Sequence, residues 1–185
     1  MSSLRVIAGK AKGRRLQSVP GDTTRPITDR TKESLFNIIG NDIQDASFLD
    51  LFAGTGSVGI EALSRGAQFV RFVDHQPRAI ETIRCNLKIT QFTLNSEIIQ
   101  TNTFRLLESK PDRQFDYIYI APPQYHDLWN RALSKLDLNL NWLSDDAWII
   151  AQIHPVEFEE IDFAHLSIFD RRKYGSTLLL FYQKD

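Results

Sequence analysis

Two stretches of this 185-residue chain carry residue types and spacings suited to chemistry. The first is Phe48-Leu-Asp50-Leu-Phe52-Ala53-Gly54-Thr55-Gly56-Ser-Val-Gly59, a strand-like run, a glycine turn and a helix start. Gly54, Gly56 and Gly59 fit G-x-G-x-x-G, where glycines allow a sharp turn and close approach of backbone to a ligand. Asp74 follows twenty residues after Gly54, at the end of the next apolar run. There its carboxylate can accept hydrogen bonds from a ribose hydroxyl pair, so the pattern points to an adenosine-containing cofactor. The glycines alone do not separate a nicotinamide dinucleotide from S-adenosyl-L-methionine. Asp50 does, because a carboxylate at that point suits a cationic amino acid and repels a pyrophosphate. The third strand-like run ends in Thr101-Asn102-Thr103, where Asn102 can contact an adenine amine. No His–carboxylate pair of the dehydrogenase kind is apparent. S-adenosyl-L-methionine is the expected cofactor, held by Asp50, Phe52, Ala53, Gly54, Thr55, Gly56, Asp74, Asn102 and Thr103. His75 reads either as a residue over the cofactor rim or as plain loop.

The second stretch is Phe115-Asp-Tyr-Ile-Tyr-Ile120 running into Ala121-Pro122-Pro123-Gln124-Tyr125. In open α/β sheets ligands bind at the carboxyl ends of strands. Two prolines there make a rigid loop whose carbonyls are not consumed by helix or sheet. Transfer of a methyl group to a planar amine needs such a loop, because the nitrogen lone pair is delocalised into the ring. Acceptors bonded to the two N–H groups orient the amine and stabilise the positive charge that grows on it. Tyr125 adds an aromatic ring on which a base can stack. An ordinary strand-ending turn is the bland alternative.

These residues need a scaffold, and the pattern supplies one. Thr28 caps a helix whose apolar face is Leu35, Ile38 and Ile39, stopped by Gly40. From residue 47 the chain alternates: strand 47–51, helix 57–65, strand 68–73, a helix opened by Pro77, strand 96–101, helix 103–109, strand 115–120, a helix near 125–136, strand 147–153. Such alternation implies a parallel sheet covered on both faces. Two late strands, near 164–171 and 177–183, have no helix between them and read as a hairpin that adds an antiparallel strand. The chain reads as one domain, 1–185, with a basic extension at 1–24 and a core from 25 onward.

Charge is unevenly spread. Residues 1–32 hold eight Lys/Arg (Arg5, Lys10, Lys12, Arg14, Arg15, Arg25, Arg30, Lys32) against two acids, while the whole chain carries −1. Leu4–Ala8 and 14–19, punctuated by Gly9 and Gly13, read as a small basic hairpin, and a basic arm on an acidic body suggests a polyanionic partner. Arg171-Arg172-Lys173 is either a second polyanion contact or a solvated loop. With one cysteine, Cys85, neither an intrachain disulfide nor a cysteine metal cluster can form. His126, His154 and His165 lack metal-ligand spacing, so no metal is expected. The expectation is a monomeric cytoplasmic protein with no membrane association.

The opening Arg5-Val-Ile-Ala-Gly9 with Lys12-Gly-Arg14, the segment Arg25-Pro26-Ile-Thr-Asp29-Arg30, the run Leu49-Asp-Leu-Phe-Ala-Gly-Thr-Gly56 with Gly59-Ile-Glu61-Ala-Leu-Ser-Arg65-Gly66, and Tyr174-Gly175 together resemble the bacterial small-subunit (16S) ribosomal RNA guanine-N2 methyltransferases. The resemblance implies an α/β class I, Rossmann-like methyltransferase fold with a seven-stranded, mostly parallel sheet and an N-terminal β-hairpin. It implies methylation of the exocyclic N2 amine of a guanine in small-subunit rRNA or the assembling small subunit. Arg5, Lys10, Lys12, Arg14, Arg15, Arg25 and Arg30 would lie on the RNA side, and Ala121, Pro122, Pro123, Gln124 and Tyr125 at the reacting base. One position departs: the family loop reads Asp-Pro-Pro-aromatic, and here Ala121 stands for the acid. Loss of one such hydrogen bond costs about 1–3 kcal/mol, roughly 10- to 100-fold in rate. The loop carbonyls are then expected to orient the amine. The alternative is a non-catalytic RNA-binding or assembly protein that keeps the fold.

Overall fold

The computed structural model describes residues 4–21 and 27–185. Arg25, one of the expected RNA-side residues, lies outside them. Seven strands form one sheet: β1 (Ser47–Leu51), β2 (Phe69–Asp74), β3 (Ser96–Gln100), β4 (Phe115–Ile120), β5 (Leu143–Ile153), β6 (Leu166–Tyr174) and β7 (Thr177–Lys184), in spatial order β3-β2-β1-β4-β5-β7-β6. The first five are parallel, and β7 runs antiparallel between β5 and β6. Among the described residues, five α-helices cover the faces: α1 (Asp29–Ile39), α2 (Ser57–Arg65), α3 (Pro77–Thr90), α4 (Thr103–Glu108) and α5 (Leu128–Leu138). Because both faces are covered, β1 and β4 are apolar on both sides: Phe48 and Tyr119 pack under α1–α3, while Leu49 and Ile118 pack under α4 and α5. Among the described residues, no helix is long and apolar enough to cross a membrane.

The predicted caps hold. Thr28 accepts a hydrogen bond from Thr31 N–H, Gly40 ends α1, and Gly66 ends α2. Three boundaries differ most from expectation, the first being β6, which runs on to Tyr174 and not to about 171. β5 begins at Leu143 because Leu143 pairs with Phe115 across a register shift. α5 begins at Leu128, not near 125, because Tyr125 and Asp127 have left-handed φ values of 66° and 52°.

The basic extension is also more than a hairpin. The two expected strands reduce to a single antiparallel bridge, Arg5 to Arg15, flanked by bonds from Val6 N–H to Arg14 O (3.0 Å) and from Leu16 N–H to Leu4 O (2.8 Å). Lys12, Gly13 and Arg14 N–H bond within the extension, to Gly9, Val6 and Ala11 O, and other amides bond to the core. Ile7 and Ala8 N–H donate to the Glu61 carboxylate at 2.8 and 3.0 Å, Ala11 N–H to Ser64 Oγ at 2.9 Å, and Lys10 N–H to Ser64 O at 2.8 Å. Gly9 makes this contact possible, since a Cβ there would lie 1.8 Å from Ser64 O. Val6, Ala11 and Leu16 are buried against α1 and α2, and Lys10, Lys12, Arg14 and Arg15 are exposed.

Glu61 is completely buried, as is Lys32, whose Nζ lies 3.6 Å from it and donates to Arg5 O at 2.7 Å. Arg65 Nε donates to the same carboxylate at 2.8 Å. Burial pushes the Lys32 ammonium pKa down, and the Glu61 charge opposes that push. Removing one partner of such a pair leaves an uncompensated buried charge, which typically costs 3–5 kcal/mol. Glu61→Ala is therefore expected to lower unfolding free energy by about 3–5 kcal/mol in urea titrations. A loss below about 1 kcal/mol would show that other contacts hold the extension.

Candidate functional site

The parallel sense of β1–β5 brings their carboxyl ends to one edge. Leu51 of β1 pairs with Ile120 of β4, so Phe52, where the glycine turn begins, and Ala121, where the Pro-Pro loop begins, leave the sheet side by side.

The turn is closed by two carboxylates. Asp74, at the end of β2, accepts from Gly54 N–H at 2.9 Å through Oδ2 and from Gln76 N–H at 2.9 Å through Oδ1. Asp50 accepts from Gly59 N–H at 3.1 Å. Ala53 N–H donates to Val73 O at 2.9 Å, and Thr55 Oγ1 accepts from Ser57 N–H at 3.3 Å. Phe52 holds a left-handed φ of 59° and sets its ring edge-on to Phe104, 6.0 Å away. Bulky residues rarely adopt that φ, and strain of this kind gathers at functional sites. At Gly54 a Cβ would meet nothing within 4 Å, so the turn's backbone borders open space. At Gly59 a Cβ would meet Phe72 at 2.4 Å, a packing constraint.

Asp50 is buried, and desolvation raises its pKa well above the usual carboxylate range; the hydrogen bond from Gly59 opposes the shift and the nearby Asp74 charge adds to it. Such a carboxyl favours a cation beside it. Tyr119, its neighbour on β4, is also buried, with its pKa pushed up by burial and then by Asp50; its hydroxyl donates to Gln152. His75 is exposed, its Nδ1 3.8 Å from Asp74 Oδ1. Asn102 has a structural duty that the sequence reading did not assign. Its Oδ1 accepts from Phe104 and Arg105 N–H at 3.0 and 3.2 Å, capping α4. That occupies the oxygen which an adenine amine would seek, and leaves the Asn102 amide to donate to a ring nitrogen. Thr103 is buried behind it.

In the Pro-Pro loop Ala121 and Pro122 are half-buried, whereas Pro123, Gln124 and Tyr125 are exposed. Tyr125 N–H donates to Glu157 Oε1 at 2.7 Å, and its ring lies 6.0 Å from that of His154. His154 and Glu157 follow β5 and were not singled out as site residues. The capping-box spacing of His154-Pro155-Val156-Glu157 was the available signal.

Asn86 was also missed. This fully buried side chain accepts from Gln17 N–H at 2.7 Å and donates to Gln17 O at 3.0 Å and Thr55 O at 2.9 Å. It joins the basic extension to the glycine turn. Of the other expected RNA-side residues, Arg30 is exposed and Arg5 pairs with Asp29 at 2.9 Å. Arg171–Lys173 belong to β6, not to a loop. Lys173 pairs with Leu178, which pairs with Ile153, so the basic run ends at the same sheet edge as the site.

A family model described as "Conserved hypothetical protein 95" matches residues 4–183. The chain is 39% identical over 184 residues to YlbH of Bacillus subtilis, named as a candidate rRNA methyltransferase, covering 98% of this chain and 99% of that one. It is 29% identical to the ribosomal RNA small subunit methyltransferase D of Escherichia coli K12, covering 98% and 90%. The solved Escherichia coli structure titled as the methyltransferase yhhF superposes with a TM-score of 0.87 at 29% identity, covering 100% of this chain and 99% of that one. The fold is the seven-stranded class I methyltransferase fold that the sequence led us to expect.

Gly54→Ala tests whether the open space at the turn receives the cofactor. The added methyl meets no protein atom, so the expected folding cost is only that of a left-handed alanine, about 1–2 kcal/mol. Affinity for S-adenosylhomocysteine, read by calorimetry, should fall by about ten-fold or more. Undiminished affinity would remove Gly54 from the binding surface.

Proposed function

Because the chain belongs to the Conserved hypothetical protein 95 family and is an S-adenosylmethionine-dependent methyltransferase, we propose that it methylates the exocyclic N2 amine of a guanine in small-subunit ribosomal RNA. The observation that carries this reading is the pairing of Leu51 with Ile120, which sets the glycine turn and the carbonyl-rich Pro-Pro loop next to each other. A nucleobase amine held by the loop is thereby brought to a cofactor held by the turn.

The cofactor, when bound, supplies an electrophilic methyl group on a cationic sulfur. The residues of this chain bind and orient. Asp74, anchored by Gly54 and Gln76 N–H, keeps lone pairs for ribose hydroxyls. Asp50 offers a carboxyl to the cationic amino-acid end, and the Asn102 amide a donor to adenine. The carbonyls of Ala121 and Pro122 take the two N–H groups of the guanine amine, turning its lone pair toward the methyl group and stabilising the charge that develops on nitrogen. With Ala121 in place of an acid, these carbonyls carry the orientation alone, and the proton leaves to water after transfer. Lys10, Lys12, Arg14 and Arg15 line the outer face of the extension and neutralise RNA phosphates, giving binding that weakens with salt. The proposed setting is a cytoplasmic monomer acting on rRNA or on an assembling small subunit.

The test is transfer of labelled methyl groups to unmodified small subunits and to naked small-subunit rRNA. Protein-dependent incorporation is expected, and Ala121→Asp should raise the turnover by about 10- to 100-fold. Arg14→Ala with Arg15→Ala should weaken RNA binding and flatten its log–log salt slope by about 1.4–1.8. Cofactor binding without incorporation into either substrate would favour the non-catalytic RNA-binding alternative.

A further inference from the structure

Residues 121–127 cross from β4 to α5 over an open surface, and their backbone takes an unfavourable path. Tyr125 and Asp127 both sit at left-handed φ, 66° and 52°; aspartate visits this region more readily, but a bulky side chain such as Tyr125 rarely enters it. Such a conformation persists only where its surroundings over-determine it. At its α5 end Asp127 accepts from Arg131 N–H at 3.2 Å and from the Asn130 amide at 3.4 Å; among the described residues, the hydrogen bond that ties the rest of this exposed stretch to another element is Tyr125 N–H to Glu157 Oε1 at 2.7 Å. The other oxygen of the same carboxylate accepts from His154 N–H at 3.0 Å. His154 Nδ1 in turn accepts from Val156 N–H at 3.3 Å, which fixes the imidazole plane and leaves its proton on Nε2. One carboxylate therefore holds the backbone at both Tyr125 and His154, whose ring centroids are 6.0 Å apart and tilted by 42°. The Tyr125 side of this pair is well exposed, and Val156 beside it is 73% exposed.

Resting on the reading of the Pro-Pro loop as the substrate side, we infer that Glu157 is the positioning residue of that loop, holding Tyr125 and His154 as an aromatic shelf on which a nucleobase stacks beside the Ala121 and Pro122 carbonyls. The chemistry fits a planar base. Aromatic faces accept any base by stacking, a His edge can donate from Nε2, and the half-buried carbonyls next to the shelf supply acceptors for an amine. The arrangement also accounts for tolerance of Ala121. A loop held from outside by Glu157 does not depend on an acid at its first position to keep its shape. Glu157 acts through Tyr125 and His154, and is not placed to touch the reacting atoms.

The experiment uses the full chain and two readouts. In Glu157→Ala, the Tyr125 amide should exchange with deuterium about ten-fold faster or more, measured by NMR, while affinity for S-adenosylhomocysteine stays within about two-fold. In methyl transfer to rRNA, Glu157→Ala and Tyr125→Ala should each lower kcat by about ten-fold. Adding Glu157→Ala to Tyr125→Ala should change kcat by less than about three-fold, because both act through one element. Glu157→Gln, with one acceptor oxygen instead of two, is read the same way should the alanine variant not fold. Unchanged Tyr125 exchange, or a Glu157→Ala loss that persists in full in the Tyr125→Ala background, overturns the inference. If the wild-type chain transfers nothing to rRNA, the function reading fails, and the exchange comparison still decides whether Glu157 holds the loop.

Discussion

A carboxylate with no exposure, Glu61, sits where the basic extension, α1 and α2 meet, and the docking of that extension is built around it. A buried charge must be compensated. Here the compensation comes from the Ile7 and Ala8 amides, the Lys32 ammonium and the Arg65 guanidinium. Lys32, itself buried, completes its own shell with the Arg5 carbonyl. The outcome is a basic segment fixed in orientation: Val6, Ala11 and Leu16 turn inward, and Lys10, Lys12, Arg14 and Arg15 face outward. Loose cationic arms attract phosphates, but they do not set register. A docked one can fix where a polyanion lies relative to the sheet edge.

That fixed segment connects to the chemistry through Asn86. Its carboxamide satisfies both backbone groups of Gln17 and the carbonyl of Thr55, so the basic segment and the glycine turn share a buried partner. On the other side of the turn, sheet register does the equivalent work, since the Leu51–Ile120 pair makes the turn and the Pro-Pro loop neighbours. This edge of the sheet is thus assembled from elements far apart in sequence, each held by backbone hydrogen bonds to a side chain or to a strand. Asp50 and Tyr119 lie beneath it as a buried acid and phenol, both with pKa values raised by desolvation.

Much of this was legible in the chain. β1, α2 and β4 fall where apolar runs meet glycine or polar stops, because those boundaries are set locally by backbone freedom and burial on both faces. The antiparallel β6–β7 pair was legible from the missing helix between two late strands. What was not legible depends on distant partners. The extension has the alternation of a hairpin, yet the amides of Ile7, Ala8, Lys10, Ala11 and Gln17 belong to Glu61, Ser64 and Asn86, more than fifty residues away. β5 starts early because Leu143 finds Phe115 across a bulge, something the polar Ser144–Asp146 stretch conceals. Asn102 shows the reverse case. Asn before a helix is a capping signal, and the cofactor reading overshadowed it. Likewise Glu157 carried a capping-box spacing, but that it also holds Tyr125, 32 residues earlier, follows only from the fold.

The central claim concerns the identity of the reacting atom. The most direct measurement is nucleoside mass spectrometry of small-subunit rRNA after incubation with the protein and S-adenosylmethionine. The account predicts a single new nucleoside, N2-methylguanosine, absent when the protein is omitted. A methylated adenosine or cytidine in its place, or methylation confined to ribose or to protein, would contradict it.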